Sequence, residues 1–223
     1  MLKVIYCYIR KPGMSVQDFQ KYWHEDHLEL VRKISELTKY EQNHTLLSGY
    51  KRPVPPVFDG VEKMWVESQD KLASIEASAA FKAAKADLEN FVDTDRVKQI
   101  LAREVVIKEG EVVDGMVRMI EFITRKPGMS PEDFHHHWEE IHGPIVAKQP
   151  QIKNYVQSHT LMSEYEKKKQ PDYDGVTEVW FDNTDAMREA AAAPLYADVL
   201  ADEKNFVPDN TPFILSIDRR ISI

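Results

Sequence analysis

The stretch FHHHWEEIHGP, residues 134–144, places four of the chain's eight histidines within one helix-length. An imidazole has an unperturbed pKa of about 6.5, so it can take up or release a proton near neutral pH. With carboxylates or thiolates at the right spacing it can instead hold a metal. Successive helical residues point about 100° apart, so His135, His136 and His137 cannot converge on one ion, and the triple reads as a solvated face. His142 differs, because it shares a face with Phe134, Trp138 and Val146, where core side chains point. Metal pairs three residues apart exist at Glu139 with His142 and at His24 with His27. No His-x-x-x-His pair with a third ligand and no cysteine cluster accompanies them, so no metal is expected. Gly-rich phosphate motifs are missing too, which argues against a nucleotide.

The elements that must position these residues occur twice. Arg10-Lys11-Pro12-Gly13-Met14-Ser15 recurs as Arg125-Lys126-Pro127-Gly128-Met129-Ser130, an offset of 115 residues. The same offset carries Phe19 to Phe134, Trp23 to Trp138, His27 to His142, Tyr40 to Tyr155, His44 to His159 and Trp65 to Trp180. Asp59-Gly60-Val61 and Asn90-Phe91-Val92 recur as Asp174-Gly175-Val176 and Asn205-Phe206-Val207. A tandem duplication follows, with one unit at 1–108, another at 116–223 and a linker at 109–115.

Each unit reads as β-α-β-β-α-β. Lys3 to Ile9 is a β-branched and aromatic run stopped by Pro-Gly. Ser15 and Ser130 are N-caps, and Pro131 at the first helical position adds to the second. Tyr40 to Leu47 and Val61 to Val66 read as strands, and the alanine-rich segments 72–86 and 186–201 as second helices. Val105 to Ile107 and Ile214 to Ile223 close the units. The fold class expected is α+β: two tandem ferredoxin-like units packed sheet to sheet as an intramolecular dimeric α/β barrel, a pseudo-dimer within one chain.

On the second strand Tyr155, Gln157 and His159 alternate onto one face, and Tyr40, Gln42 and His44 repeat it. That face is expected to meet the helices, bringing His142 and His159, or His27 and His44, together in a pocket lined by Phe134, Trp138, Trp180, Trp23 and Trp65. Tyr155, Tyr40 and Gln157 would support or line it. Val176, Glu178 and Trp180 share a face of the third strand, making Glu178 a further base candidate.

Composition narrows the partners. A net charge of −8 argues against nucleic acid, and no apolar run approaches a membrane span. A single cysteine, Cys7, excludes an intramolecular disulfide, and no signal peptide is visible, so a cytoplasmic protein is expected. The partner expected is a small molecule, with further homodimerisation left open.

RKPGMSPEDFHHHWEEIHGPIV, a strand ending in SHTL, PDYDGVTEVWFDN and DEKNFV resemble, in this order and spacing, the EthD family of dimeric α/β barrels. The first half departs at Leu28-Glu29, in place of Gly143-Pro144, and at Lys63, in place of Glu178. The resemblance implies small cofactor-free isomerases, cyclases and lyases, with monooxygenases and haem-binding barrels as related branches. The expected function is acid/base chemistry on a small oxygenated, apolar ring compound such as a phenol, lactone or polyketide. His142 and His159 would be the acid/base pair, Tyr155 or Glu178 would assist, and His27 and His44 would serve the first half. The alternatives are a monooxygenase and a non-catalytic binding module.

Overall fold

The computed structural model describes residues 1–209 and 211–217, and these divide into two compact units, Met1–Leu101 and the described residues of 102–217. In the first, strand β1 (Leu2–Tyr8) ends at a turn where Gly13 takes φ +87°, a backbone conformation that favours glycine. Gly128 repeats it at the same angle. Ser15 then caps helix α1 (residues 16–31) by accepting the Asp18 N–H, as Ser130 accepts that of Asp133.

Helix α1 is not the uninterrupted α-helix that its apolar spacing suggests. It is α over Val16–Tyr22, π over Trp23–His27, and α again over Leu28–Val31. The physical cause lies on the neighbouring sheet, where the Gln42 amide donates to the Trp23 carbonyl at 2.9 Å. A side chain inserted into the helical ladder loosens one turn, and such single π turns are frequent at functional sites. Strands β2 (Lys39–His44) and β3 (Gly60–Val66) follow, then helices α2 (Gln69–Ala77) and α3 (Ala79–Asp87), separated at Ser78, which caps α3. Strand β4 (Lys98–Lys108) completes the order β2-β3-β1-β4, with β1 and β2 both antiparallel to β3. This is a ferredoxin-like βαββαβ unit.

The second unit repeats it with β5 (Val117–Ile123), helix α4, β6 (Asn154–Thr160), β7 (Gly175–Phe181), α5 (Thr184–Ala192), α6 (Tyr196–Phe206) and β8 (Phe213–Ile217). The strand order is β6-β7-β5-β8. Helix α4 again changes pitch, α over Pro131–His136, π over His137–His142 and α over Gly143–Ala147. Residues Ala102–Lys108 of β4 pair with β6, so β4 is longer than the Val105 to Ile107 anticipated. The contacts accordingly divide the chain within β4, upstream of the irregular 109–116 connection. Of the closing strand expected at Ile214 to Ile223, Phe213–Ile217 is seen and 218–223 lies outside the described residues.

Each unit's core gathers around a tryptophan: Tyr8, Phe19, Trp23 and Phe91 in the first, Ile123, Phe134, Trp138 and Phe206 in the second. The repeated Asp-Gly-Val explains how each ring reaches the sheet. A Cβ at Gly60 would lie 2.2 Å from Trp23, and one at Gly175 would lie 2.4 Å from Trp138. Only glycine admits the indole there. No helix among the described residues is long and apolar enough to cross a membrane.

Candidate functional site

His142 ends the π turn of α4, buried, with Nδ1 2.9 Å from Asp202 Oδ2 of α6. The other oxygen of Asp202 is met by His137 Nε2 at 3.0 Å and accepts from the Asn205 amide at 3.2 Å. Burial by itself would raise the Asp202 carboxyl, but hydrogen bonds from His142, Asn205 and His137 outweigh it and hold the group below its ordinary range. An ionised Asp202 keeps the His142 proton on Nδ1 and turns the Nε2 lone pair outward, the way an acidic partner fixes an imidazole tautomer. Burial lowers the His142 pKa, with Asp202 opposing, so the ring is neutral near pH 7.

His142 borders a cavity of about 790 Å³ whose wall includes Trp138, Tyr155, Val179 and Phe206. Two carboxylates, Glu121 of β5 and Glu203 of α6, line the same space. Burial, reinforced by the charge of Glu203, raises Glu121 to about 7. Burial and the charge of Asp202 raise Glu203 as well. Tyr155 is pushed above its ordinary value by burial, so its hydroxyl stays protonated. The cavity therefore presents a neutral imidazole, a phenol and a carboxyl group that exchanges its proton close to neutrality, on a largely apolar wall.

His159 stands apart from this cavity. Its Nε2 is 2.9 Å from Gln157 Oε1, while Gln157 Nε2 donates to the Trp138 carbonyl at 2.8 Å and to the Tyr155 hydroxyl at 2.7 Å. With the amide's donors committed to the two oxygens, His159 must be the donor to Oε1, leaving Nδ1 buried without a hydrogen-bond partner. Burial, His135 and Arg103 push its pKa down to about 2. Gln157 is thus a strut between sheet, phenol and π turn, and His159 orients the strut. Glu178 is also elsewhere, on the opposite face of β7, bonded to Arg118 at 3.1 Å, with the Arg118 guanidinium over Trp180. Phe134 lies behind Trp138 in the core.

The first unit keeps the framework and changes the chemistry. His27 Nδ1 is 2.9 Å from Asp87 Oδ2, whose other oxygen accepts from Tyr22 and Asn90, each at 2.8 Å. Its Nε2 has a second acid nearby, Glu62 Oε2, at 3.9 Å. Glu62 accepts the Tyr40 hydroxyl at 2.8 Å, and Gln42 bonds both Tyr40 and the Trp23 carbonyl. His44 lies 3.1 Å from Gln42 Oε1 and stacks on Trp23, centroids 4.4 Å apart. Trp65 is away from this cluster, beneath Lys39 at 4.2 Å.

The EthD-domain model matches residues 11–95 and 126–209, which together make up most of the chain. The chain belongs to the EthD family. A comparison with curated proteins finds no match. Among solved structures, an anthrone oxidase-like protein is similar at TM-score 0.65 and 10% identity, over 98% of this chain and 91% of that one. A provisionally named monooxygenase from Lactobacillus acidophilus NCFM gives 0.55 and 13%, over 99% and 97%. A mutant chlorite dismutase from Candidatus Nitrospira defluvii gives 0.53 and 10%, over 98% and 91%. At these identities the likeness is one of fold.

Within this EthD chain, sequence reasoning missed the acids. Asp87 and Asp202 stand at the repeat offset of 115, one turn before the recurring Asn-Phe-Val, so the repeat itself carried the signal. Glu62, Glu121 and Glu203 had no such signal, since the other copy has Thr177, Tyr6 and Leu88 there. The histidine triple also needs correcting. His136 is exposed, but His137 bonds Asp202, and His135 packs edge-on to His159 at 4.9 Å. Tyr22 is the first-copy counterpart of His137, matching its role and not its residue type.

Proposed function

We propose that the second unit is a small-molecule enzyme that moves a proton on a small oxygenated ring compound, with His142 as the base and Glu121 as the acid. The observation that carries this reading is the His142 ring, anchored through Nδ1 by Asp202 on the wall of an apolar cavity. Nε2 takes a proton from a carbon beside a carbonyl, and the electron pair moves onto the carbonyl oxygen. Glu121 supplies the proton that neutralises that oxygen; His142 then delivers its proton to a different carbon while the enol hydroxyl returns its own to Glu121, which restores the carbonyl and completes an isomerisation. Trp138, Val179 and Phe206 hold the ring, and Tyr155 provides a hydroxyl donor. His159 and Glu178 are left out of the proton path by their positions.

The test is deuterium uptake from D2O, followed by NMR, at the carbon beside the carbonyl of cyclic ketones and unsaturated lactones. The expected result is enzyme-dependent exchange that His142→Gln reduces by about 10²-fold or more. Asp202→Asn, which disturbs the anchoring of the ring, should reduce it by roughly 10-fold to 100-fold. Undiminished exchange in His142→Gln overturns the assignment. Oxygen uptake with phenols, or a Soret band on adding haemin, in place of exchange would move the reading to a monooxygenase.

A further inference from the structure

The first unit encloses a cavity of its own, about 540 Å³, that the proton-transfer reading does not use. Apolar side chains, Val31, Ile34, Met64 and Phe81 among them, form most of its wall. Its polar lining is Tyr6, Tyr8, His27, Glu62 and Gln99, with Gln99 donating to the Tyr6 hydroxyl at 2.9 Å. Tyr6 and Tyr8 are near parallel at 6.3 Å between centroids, giving an aromatic side to the space. Lys82, Lys85, Glu76 and Glu89 lie at its margin, all exposed, and their charges cancel.

The charge inside does not cancel. Glu62 is 5% exposed and lies 3.9 Å from His27 Nε2, and Asp87 lies 2.9 Å from the Nδ1 of the same ring. The single imidazole can balance at most one of the two carboxyl groups that flank it. Buried charges are stable when paired, and neutral phenol donors such as Tyr40 soften the other without cancelling it. In the second unit the position of Glu62 is occupied by Thr177.

We propose that the first-unit cavity is a second binding site, selective for small apolar amines in their ammonium form. The ammonium group would sit at Glu62, with the Tyr6 and Tyr8 rings beside it and the hydrocarbon part against Met64 and Phe81. Aromatic faces add to the attraction for a cation. His27, held between two acids, serves this site by positioning Glu62, in contrast to the outward-facing His142.

The experiment uses the full chain at pH 7 with benzylamine and its neutral analogue benzyl alcohol. Binding is read from the methyl signals of 13C-methyl methionine, because Met64 lines this cavity whereas Met119 and Met187 line that of the second unit. Benzylamine should move the Met64 signal and bind at least roughly tenfold more tightly than benzyl alcohol. Glu62→Gln should abolish that preference, and Glu121→Gln should leave it intact. Shifts at Met119 and Met187 without one at Met64, equal affinities for the two probes, or no binding of benzylamine would each overturn the proposal. The methionine readout needs no substitution, so it decides the matter even if Glu62→Gln does not fold.

Discussion

His27 and His142 differ in their second neighbour: the Nδ1 of each is tied to an aspartate, but His27 has Glu62 3.9 Å from Nε2 where the second copy has Thr177. The chemistry of each half is decided by which acid accompanies the ring, and Glu121 makes a measurable prediction. Its folded pKa of about 7 stands above the ordinary glutamate value of about 4.3. Below about pH 4 the group is protonated whether folded or unfolded. As pH rises through 4.3 towards 7 the unfolded chain releases its proton first, so stability is lost. Glu121→Gln should therefore raise the Tm at pH 8 and leave it unchanged at pH 4. The same substitution should lower activity and, in what remains, remove any fall above about pH 7. A Tm difference that does not depend on pH would show that Glu121 ionises normally. At this scale the histidines were legible, because a repeated imidazole on a core-facing row is conspicuous. Asp87 and Asp202 carried the same repeat signal, whereas Glu62, Glu121 and Glu203 did not, because such a carboxylate is identified only by the cavity and charges around it.

At the scale of elements, caps and turns were readable because they depend on local chemistry: Ser130-Pro131 begins α4, and Pro-Gly ends β1. The π turns were not, because they arise from a glutamine on another strand, Gln42 or Gln157. Gly175 belongs to the same packing unit. Gly175→Ala would put a methyl group into Trp138 and the Ser158 carbonyl, 2.4 and 2.7 Å away. It should cost about 1–3 kcal/mol in chemical denaturation, as overpacking a tight core does. Because Trp138 borders the second-unit cavity, that substitution should also lower the proposed activity, whereas Ser130→Ala, at the far end of α4, should cost about 1 kcal/mol and leave that activity unaltered. Equal effects of both on activity would mean that the indole does not position the site.

For the whole molecule, the duplication made the fold legible, since two copies of one pattern specify two ferredoxin-like units. The division of contacts inside β4 was hidden, because pairing with β6 is a long-range event that no local pattern announces. Acid sensitivity is the property to test at this scale. Burial lowers the pKa of His135, His142 and His159, most strongly in His159. Above about pH 6.5 these rings are neutral in both states. As pH falls below that, the unfolded chain gains protons that the folded rings refuse, so stability declines by up to about 1.4 kcal/mol per pH unit for a ring that stays neutral. Unfolding followed between pH 7 and pH 4.5 should show this decline, and His159→Gln should make it shallower. Parallel curves for the two proteins would mean that His159 is protonated in the fold.

The facing positions Tyr6 and Glu62 on β1 and β3 correspond to Glu121 and Thr177 on β5 and β7. Between the two copies, the acid has moved across one rung of the ladder. If substitutions come one at a time, the descent of one arrangement from the other passes through a chain carrying two acids on that rung or none. The first intermediate must bear the repulsion of adjacent carboxylates, and the second must do without the group.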